Sequence, residues 1–268
     1  MSVLVIGAGV LGGSIAASLV SAKRGVYVVS RNKPLLPPTL RTPSLLTHYP
    51  IGAAPQDLVA VVTNILSEKS NEIEMVLDLT YTDSPHGTLD EIGSQHLFDA
   101  MKNDGELFLG ICDAIKHWAS KNPWPTFFLE YLSGVAFLPD AATPVYSLTK
   151  RTRLTIFELD PFQSVPSELT RIGVLPGFFE SNLSNRVIGA QKESERRSQL
   201  IGRLSQSSAT LHENCSLIHY ILSHKSSAVQ LNQKVVHAVD DDWHHVLEGK
   251  VKLGSGARTI NRRKSQAE

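Results

Sequence analysis

Seven residues near the start of the chain, Gly7-Ala8-Gly9-Val10-Leu11-Gly12-Gly13, constrain its fold more than any other stretch. They follow a short β-rich run, Ser2–Ile6, and lead into Ser14–Ala22, which reads as an amphipathic helix. A strand that ends in glycines and turns at once into a helix leaves free backbone N–H groups at the helix start. Gly7 permits the tight turn, Gly9 lets the backbone come close to a ligand, and Gly12 allows close helix packing. With Val10 and Leu11 between them, these residues form the pattern that cradles a dinucleotide pyrophosphate. The expected architecture is α/β, a Rossmann-type doubly wound parallel sheet flanked by helices, in a single domain over residues 1–248.

The rest of the chain fits that plan. Gly25–Ser30 is a second strand, and Leu45, Leu46 and Tyr49 mark a short third one inside the proline-broken stretch Pro34 to Pro55. Gln56–Lys69 is a helix, Glu74–Thr80 a central strand, His86 to Asp99 a loop, Gly105–Ser120 a helix and Phe127–Leu132 a buried strand. The helix carrying Tyr146 and Lys150 continues through Leu154, Phe157 and Glu158 until Pro161. Thr170–Leu175 is a sixth strand, Leu217–Leu222 lies in a helix, and Lys234–Val239 closes the sheet. Trp118 and Trp124 are packing residues in this reading. His244 and His245 are adjacent and share no face, so a solvated turn is expected there and no metal site. Gly249–Glu268, with Arg262-Arg263-Lys264, reads as a disordered basic tail.

Composition narrows the function. The 268 residues are 42% hydrophobic and 19% charged, which suits one compact core, and 26 basic residues balance 26 acidic ones. No overall field points to nucleic acid or to an anionic membrane. Cys112 and Cys215 are too few for a disulfide scaffold and lack metal-ligand spacing. The chain runs from Met1 straight into its first strand, and no apolar run reaches the length of a membrane span, so a cytoplasmic protein is expected.

Three residues carry the candidate chemistry. Tyr146 and Lys150 lie four apart, one turn from each other on one helix face. An ammonium near a phenol favours the phenolate, which makes the tyrosine a usable acid and base. Ser133 follows the strand Phe127–Leu132, and a residue at a strand's carboxyl end faces the crevice where doubly wound sheets bind ligands. At the end of the second strand, where a carboxylate would grip the ribose of NAD, stand Ser30, Arg31, Asn32 and Lys33. Two readings fit them: an ordinary solvated loop, and a pocket for the 2′-phosphate of NADP.

Taken in order over roughly residues 2–243, the glycine loop, Ser133, Tyr146, Lys150, Pro176-Gly177 and the closing strand resemble the short-chain dehydrogenase/reductase family. The resemblance implies an oxidoreductase that uses NADP(H), or with less support NAD(H), to interconvert a carbonyl and an alcohol on a small organic substrate. In it Tyr146 is the acid and base, Ser133 orients the substrate oxygen, and Lys150 holds the nicotinamide ribose and lowers the tyrosine pKa. Pro176 and Gly177 match the family's turn after the sixth strand, and Ser181 stands where a threonine contacts the nicotinamide carboxamide. Asn103 is the nearest candidate for the helix asparagine that supports a proton-relay water, although a capping or loop role fits it as well. Residues 184–215 take the place of the substrate lid, and a homodimer or homotetramer is implied.

The chain also departs from the pattern. GAGVLGG replaces TGxxxGxG, Asp78-Leu79-Thr80-Tyr81 replaces an asparagine-rich turn, and VDDDW keeps one acid of a VDGG-like turn and loses both glycines. Those departures favour the competing class, a catalytically degenerate protein on the same fold that acts as a nucleotide-binding regulator or scaffold.

Overall fold

Strands buried on both faces need apolar side chains at every position, and parallel strands need a crossover helix between them. The computed structural model has mostly apolar strands, with Glu74, Asp78, Glu130 and Arg171 among the buried exceptions, and pairs all of its strands in parallel. It describes residues 1–34, 37, 43–52, 54–80, 89–159, 162, 168–239 and 241–250. Of the sequence-based expectations, Tyr81, His86, Pro161, Asp240 and the tail from residue 251 onward lie outside the described residues.

The elements run β1 (Ser2–Ile6), α1 (Val10–Ser21), β2 (Gly25–Ser30), β3 (Leu46–Pro50), α2 (Pro55–Glu68), β4 (Ile73–Asp78), α3 (Leu89–Ile92) and α4 (Ser94–Ala119). There follow β5 (Thr126–Tyr131), α5 (Pro144–Glu158), β6 (Leu169–Leu175), α6 (Asn182–Ala190), α7 (Ser194–Leu204), α8 (Ser207–Ser223), α9 (Lys225–Ala228), β7 (Lys234–His237) and α10 (Trp243–Leu247). The seven strands form one sheet in the order β3-β2-β1-β4-β5-β6-β7, and every neighbouring pair is parallel. The order reverses between β1 and β4, the switch point at which such sheets open a crevice at their carboxyl ends.

Alternation along the strands supplies the two faces. Val3, Val5, Val26, Val28, Leu77 and Leu129 pack with residues of α1, α8 and α10 such as Ile15, Leu217 and Trp243. Leu4, Ile6, Val29, Val76 and Phe128 pack on the other side against α2 and α4 through Val62, Ile65, Phe108 and Trp118. β4 and β5 are buried at every residue. That second layer also contains charge: Arg171 of β6 donates to Glu130 of β5 at 2.7 Å and lies between the rings of Phe157 and Phe162.

Three expectations are corrected. Within the expected loop His86 to Asp99, residues 89–92 form α3 and residues 94–99 are helical too, because α4 starts eleven residues before Gly105. Its first turns carry exposed polar side chains, with Gln95 donating to Asp99 at 3.0 Å, so no apolar stripe announces them. Asn103 therefore lies well inside a helix and caps nothing. His244 and His245 belong to α10, where the imidazole of His244 stacks on Trp243 with ring centroids 3.5 Å apart. Trp243, the first residue of this helix, is fully buried and donates from its indole to the Ala238 carbonyl at 2.9 Å. Trp118 is buried as expected and Trp124 is half-buried. Among the described residues, no helix is long and apolar enough to cross a membrane.

The sharpest steric constraint is at the glycine loop. Gly7 has φ +99°, a conformation that side-chain-bearing residues rarely adopt. A Cβ on Gly12 would lie 2.0 Å from the Gly7 carbonyl oxygen, so α1 sits against the loop backbone to backbone. Gly9 differs, since a Cβ there would meet nothing within 4 Å. Gly12→Ala is expected to cost about 2 kcal/mol through overpacking and to lower the melting temperature by about 4–8 °C. Gly9→Ala should leave it nearly unchanged. Equal melting temperatures for the two variants would contradict this packing.

Candidate active site

At the carboxyl ends of β1, β2 and β4 lies a crevice of about 650 Å³. Gly7, Ala8 and Gly9 form one wall, Ser30, Arg31 and Asn32 the next, Leu79 and Thr80 the floor, and Ala100, Asn103 and Asn182 the far side. Helix α1 begins at its edge with Gly9 as N-cap, no capping side chain and no acid in its first turn. Its first N–H groups are thus available to an anion. Val10 is exposed, whereas Leu11 is in the core and Gly12 is packed on Gly7; these three bring backbone to the site, not side chains. Open space over Gly9, a free helix start and a cation at the rim are what a dinucleotide's phosphates require, so the residues present fit that group.

Ser30 differs from its simplest reading. It is buried, its hydroxyl donates to the Asn32 carbonyl at 2.6 Å, and His48 of β3 sits 3.1 Å from the same oxygen. That hydroxyl shapes the turn and has no proton left for a phosphate. Arg31, exposed on the same turn, is the group free to reach a ligand in the crevice.

The second half of the site stands on β5 and α5. Ser133 continues β5 in extended conformation (φ −153°, ψ 151°), and a single 3₁₀ turn, Gly134–Ala136, follows. Arg151 of α5 donates to the Ala136 carbonyl at 3.1 Å and so fastens the Ser133 turn to the helix of Tyr146 and Lys150. Pro144 starts that helix and fixes where Tyr146 falls. The Lys150 amine lies 6.0 Å from the Tyr146 ring centroid and donates to the Tyr131 carbonyl at 3.2 Å. Lys150 is 5% exposed. Burial, helped by the charge of Arg153, pulls its pKa from 10.5 down to about 8, and Asp104 and Asp78 oppose that pull.

Sequence reasoning missed the group that joins the two halves. Arg153, three residues after Lys150 on α5, makes a fork onto Asp104 of α4, with Nε and Nη2 donating at 2.8 and 2.7 Å. Its Nη1 reaches Asp78 of β4 at 3.3 Å and the Thr80 hydroxyl at 3.1 Å. Asp78 in turn accepts from the Thr80 hydroxyl and N–H at 2.6 and 2.9 Å. Burial alone would lower the guanidinium pKa, but Asp104 and Asp78 raise it well above its ordinary value. The available signal was a carboxylate in the apolar run EMVLDLT, since a buried charge demands a partner.

Pro176 and Gly177 follow β6 directly, and the Pro176 carbonyl accepts from Asn214 at 2.8 Å. Neither borders the crevice. Ser181 caps α6 in a reciprocal pair with Ser184, so its hydroxyl already has partners, while the next residue, Asn182, lines the crevice. A separate cleft of about 750 Å³ opens between residues 138–142 and the helices α6 and α7. Across it Gln191 donates to both oxygens of Asp140, at 3.2 and 3.1 Å.

No protein-family model matches the chain, and no curated protein matches its sequence. Solved structures do match in shape. The aldohexose dehydrogenase of Thermoplasma acidophilum is 13% identical with a TM-score of 0.68, over 95% of this chain and 97% of that one. An NADPH-dependent reductase involved in bacilysin biosynthesis is 13% identical with a TM-score of 0.67, over 88% and 96%. A short-chain dehydrogenase from Burkholderia cenocepacia, solved in complex with NADP, is 18% identical with a TM-score of 0.57, over 69% and 76%. At such identities the likeness shows the fold, which is that of the short-chain dehydrogenases/reductases.

The buried amine has a measurable consequence. Between about pH 8 and 10.5 the folded chain holds fewer protons at Lys150 than the unfolded chain does. The cost of burying it is therefore full below pH 8 and fades as the pH rises to 10.5. At about 1.4 kcal/mol per pH unit, Lys150→Met should be more stable than the unmodified protein at pH 7 by roughly 2 kcal/mol, once the lost hydrogen bond is offset. The gain should shrink above pH 8, reach zero at about pH 9.4 and turn into a small loss near pH 10.5, where only the missing hydrogen bond remains. Thermal unfolding across this range checks it, and a variant less stable at pH 7 would contradict it.

Proposed function

We propose that this chain is an oxidoreductase of the short-chain dehydrogenase/reductase family that uses NADP(H) to interconvert a carbonyl and an alcohol on a small molecule. One observation carries the reading: a buried lysine amine stands one turn from a half-buried tyrosine, on a helix that Arg153 ties to Thr80 on the floor of the crevice. A regulator on the same fold would have no use for an amine held dry at such cost.

The bound nicotinamide cofactor supplies or accepts the hydride. Gly7, Gly9 and the first turn of α1 bind its pyrophosphate, and Arg31 meets the 2′-phosphate as a planar, charge-assisted donor. Ser30 holds the turn that presents Arg31. Among the described residues lining the crevice there is no acid to repel that phosphate. The NADPH-dependent reductase and the NADP complex of the same fold support this choice. Tyr146 gives or takes the proton at the substrate oxygen, Ser133 orients that oxygen, and Lys150 favours the phenolate. Pro176 and Gly177 shape the turn toward α6. Asn103 and Asn182 face the crevice, with Asn182 taking the polar contact expected of Ser181. Residues 184–215 form the lid, and the cleft under α6 and α7 is the way in for substrate.

A panel of carbonyls and alcohols with each cofactor tests the reading. Tyr146→Phe should lose turnover by about two to four orders of magnitude while its affinity for cofactor stays within a few-fold. Near-normal turnover would remove Tyr146 from the mechanism, and no turnover of any compound by the unmodified protein would sink the enzyme reading. Arg31→Ala should weaken NADPH binding by roughly ten- to a hundredfold and leave NADH almost unaffected. Equal losses for both would make Arg31 a structural residue.

A further inference from the structure

Lys150 does not stand alone in its dry site. Asp78, Asp104 and Arg153 are each at most 3% exposed; β4 and α4 lead to residues that line the crevice, and α5 reaches them through the hydrogen bonds of Arg153 to Thr80. β4 continues into Thr80 on the floor, α4 carries Asn103 beside Asp104, and α5 carries Lys150 one turn before Arg153. The register places Asp78 beside Glu130 on the neighbouring strand, and the next residue, Tyr131, supplies the carbonyl that accepts from Lys150. Arg153 thus links the helix of Lys150 to Thr80 on the crevice floor.

The formal charges make the arrangement more than packing. Two carboxylates and one guanidinium sum to minus one, and the ammonium of Lys150 brings the cluster to neutrality. In a low-dielectric site each of those charges acts strongly on the others. A purely structural role would be served as well by apolar side chains, because buried ion pairs are often no more stabilising than well-packed hydrophobic ones.

We propose that Arg153, gripped by Asp104 and Asp78, is a positioning residue for Lys150: the three together hold the ammonium at the Tyr131 carbonyl beside Tyr146 and set its charge state. The proposal rests on the assignment of Lys150 to the reaction. Lys150 contacts the Tyr131 carbonyl from β5 and lies near the Tyr146 ring of its own helix; the charges that act on it are Arg153 from its own helix, Asp104 from α4 and Asp78 from β4, while Glu130, beside Tyr131, is turned to Arg171.

The test needs neither cofactor nor substrate. The intact protein is labelled with carbon-13 at the lysine ε position, and the Lys150 resonance is identified by its loss in Lys150→Arg. In the unmodified chain it should titrate with a midpoint of about 8. Asp104→Asn removes one negative charge and should lower the midpoint by about one pH unit. Asp78→Asn, on a different element, makes the same change and should act the same way, so the result does not hang on one variant's folding. Adding Arg153→Met to Asp104→Asn removes the matching positive charge and should bring the midpoint back toward 8. Midpoints that stay put in both asparagine variants, or a double variant that remains low, would overturn the proposal. Failure of the protein to bind any nicotinamide cofactor would instead count against the functional reading and leave these midpoints as stated.

Discussion

Taking a lysine amine out of water is costly unless other charges and carbonyls receive it, and much of this structure's carboxyl edge is arranged around that constraint. The Tyr131 carbonyl accepts a hydrogen bond from Lys150, Asp104 and Asp78 supply opposite charge, and both carboxylates are themselves held by Arg153. The same four side chains tie β4, α4 and α5 into one block under the crevice. Arg151 fastens the Ser133 turn to that block from its other side. The placement of the proposed catalytic pair and the rigidity of this edge thus share neighbouring contacts.

The glycine loop does the complementary work with backbone alone. Gly12 against the Gly7 carbonyl brings α1 down onto the strand ends, and the open position at Gly9 leaves room for a ligand over the helix start. The side chains of Val10 and Leu11 take no part in the crevice, so the departure of GAGVLGG from the family's usual spelling changes little where a pyrophosphate would lie.

Most of the fold was legible because strands buried on both faces announce themselves as apolar runs. Ser2–Ile6 and Gly25–Ser30 match to the residue, and the others match within a residue or two. The start of α4 was hidden because its first turns face solvent and repeat no apolar stripe. In the site, Tyr146 and Lys150 were legible because their spacing is local to one helix. Asp78, Thr80, Asp104 and Arg153 were not, since each looks ordinary alone and their meeting depends on three elements far apart in sequence. Ser30 borders the crevice and Ser181 does not, and the hydroxyls of both are bound locally, by Asn32 and Ser184, a competition that residue type does not reveal.

The central claim is that the crevice between β1 and β4 holds a nicotinamide cofactor whose reactive end reaches Tyr146. Titration of the unmodified protein with NADPH, followed by nicotinamide fluorescence and by melting temperature, tests it most directly. The account predicts enhanced emission and a raised melting temperature, both saturating below millimolar cofactor and both weaker with NADH. No change in either signal with either cofactor at millimolar concentration would contradict it.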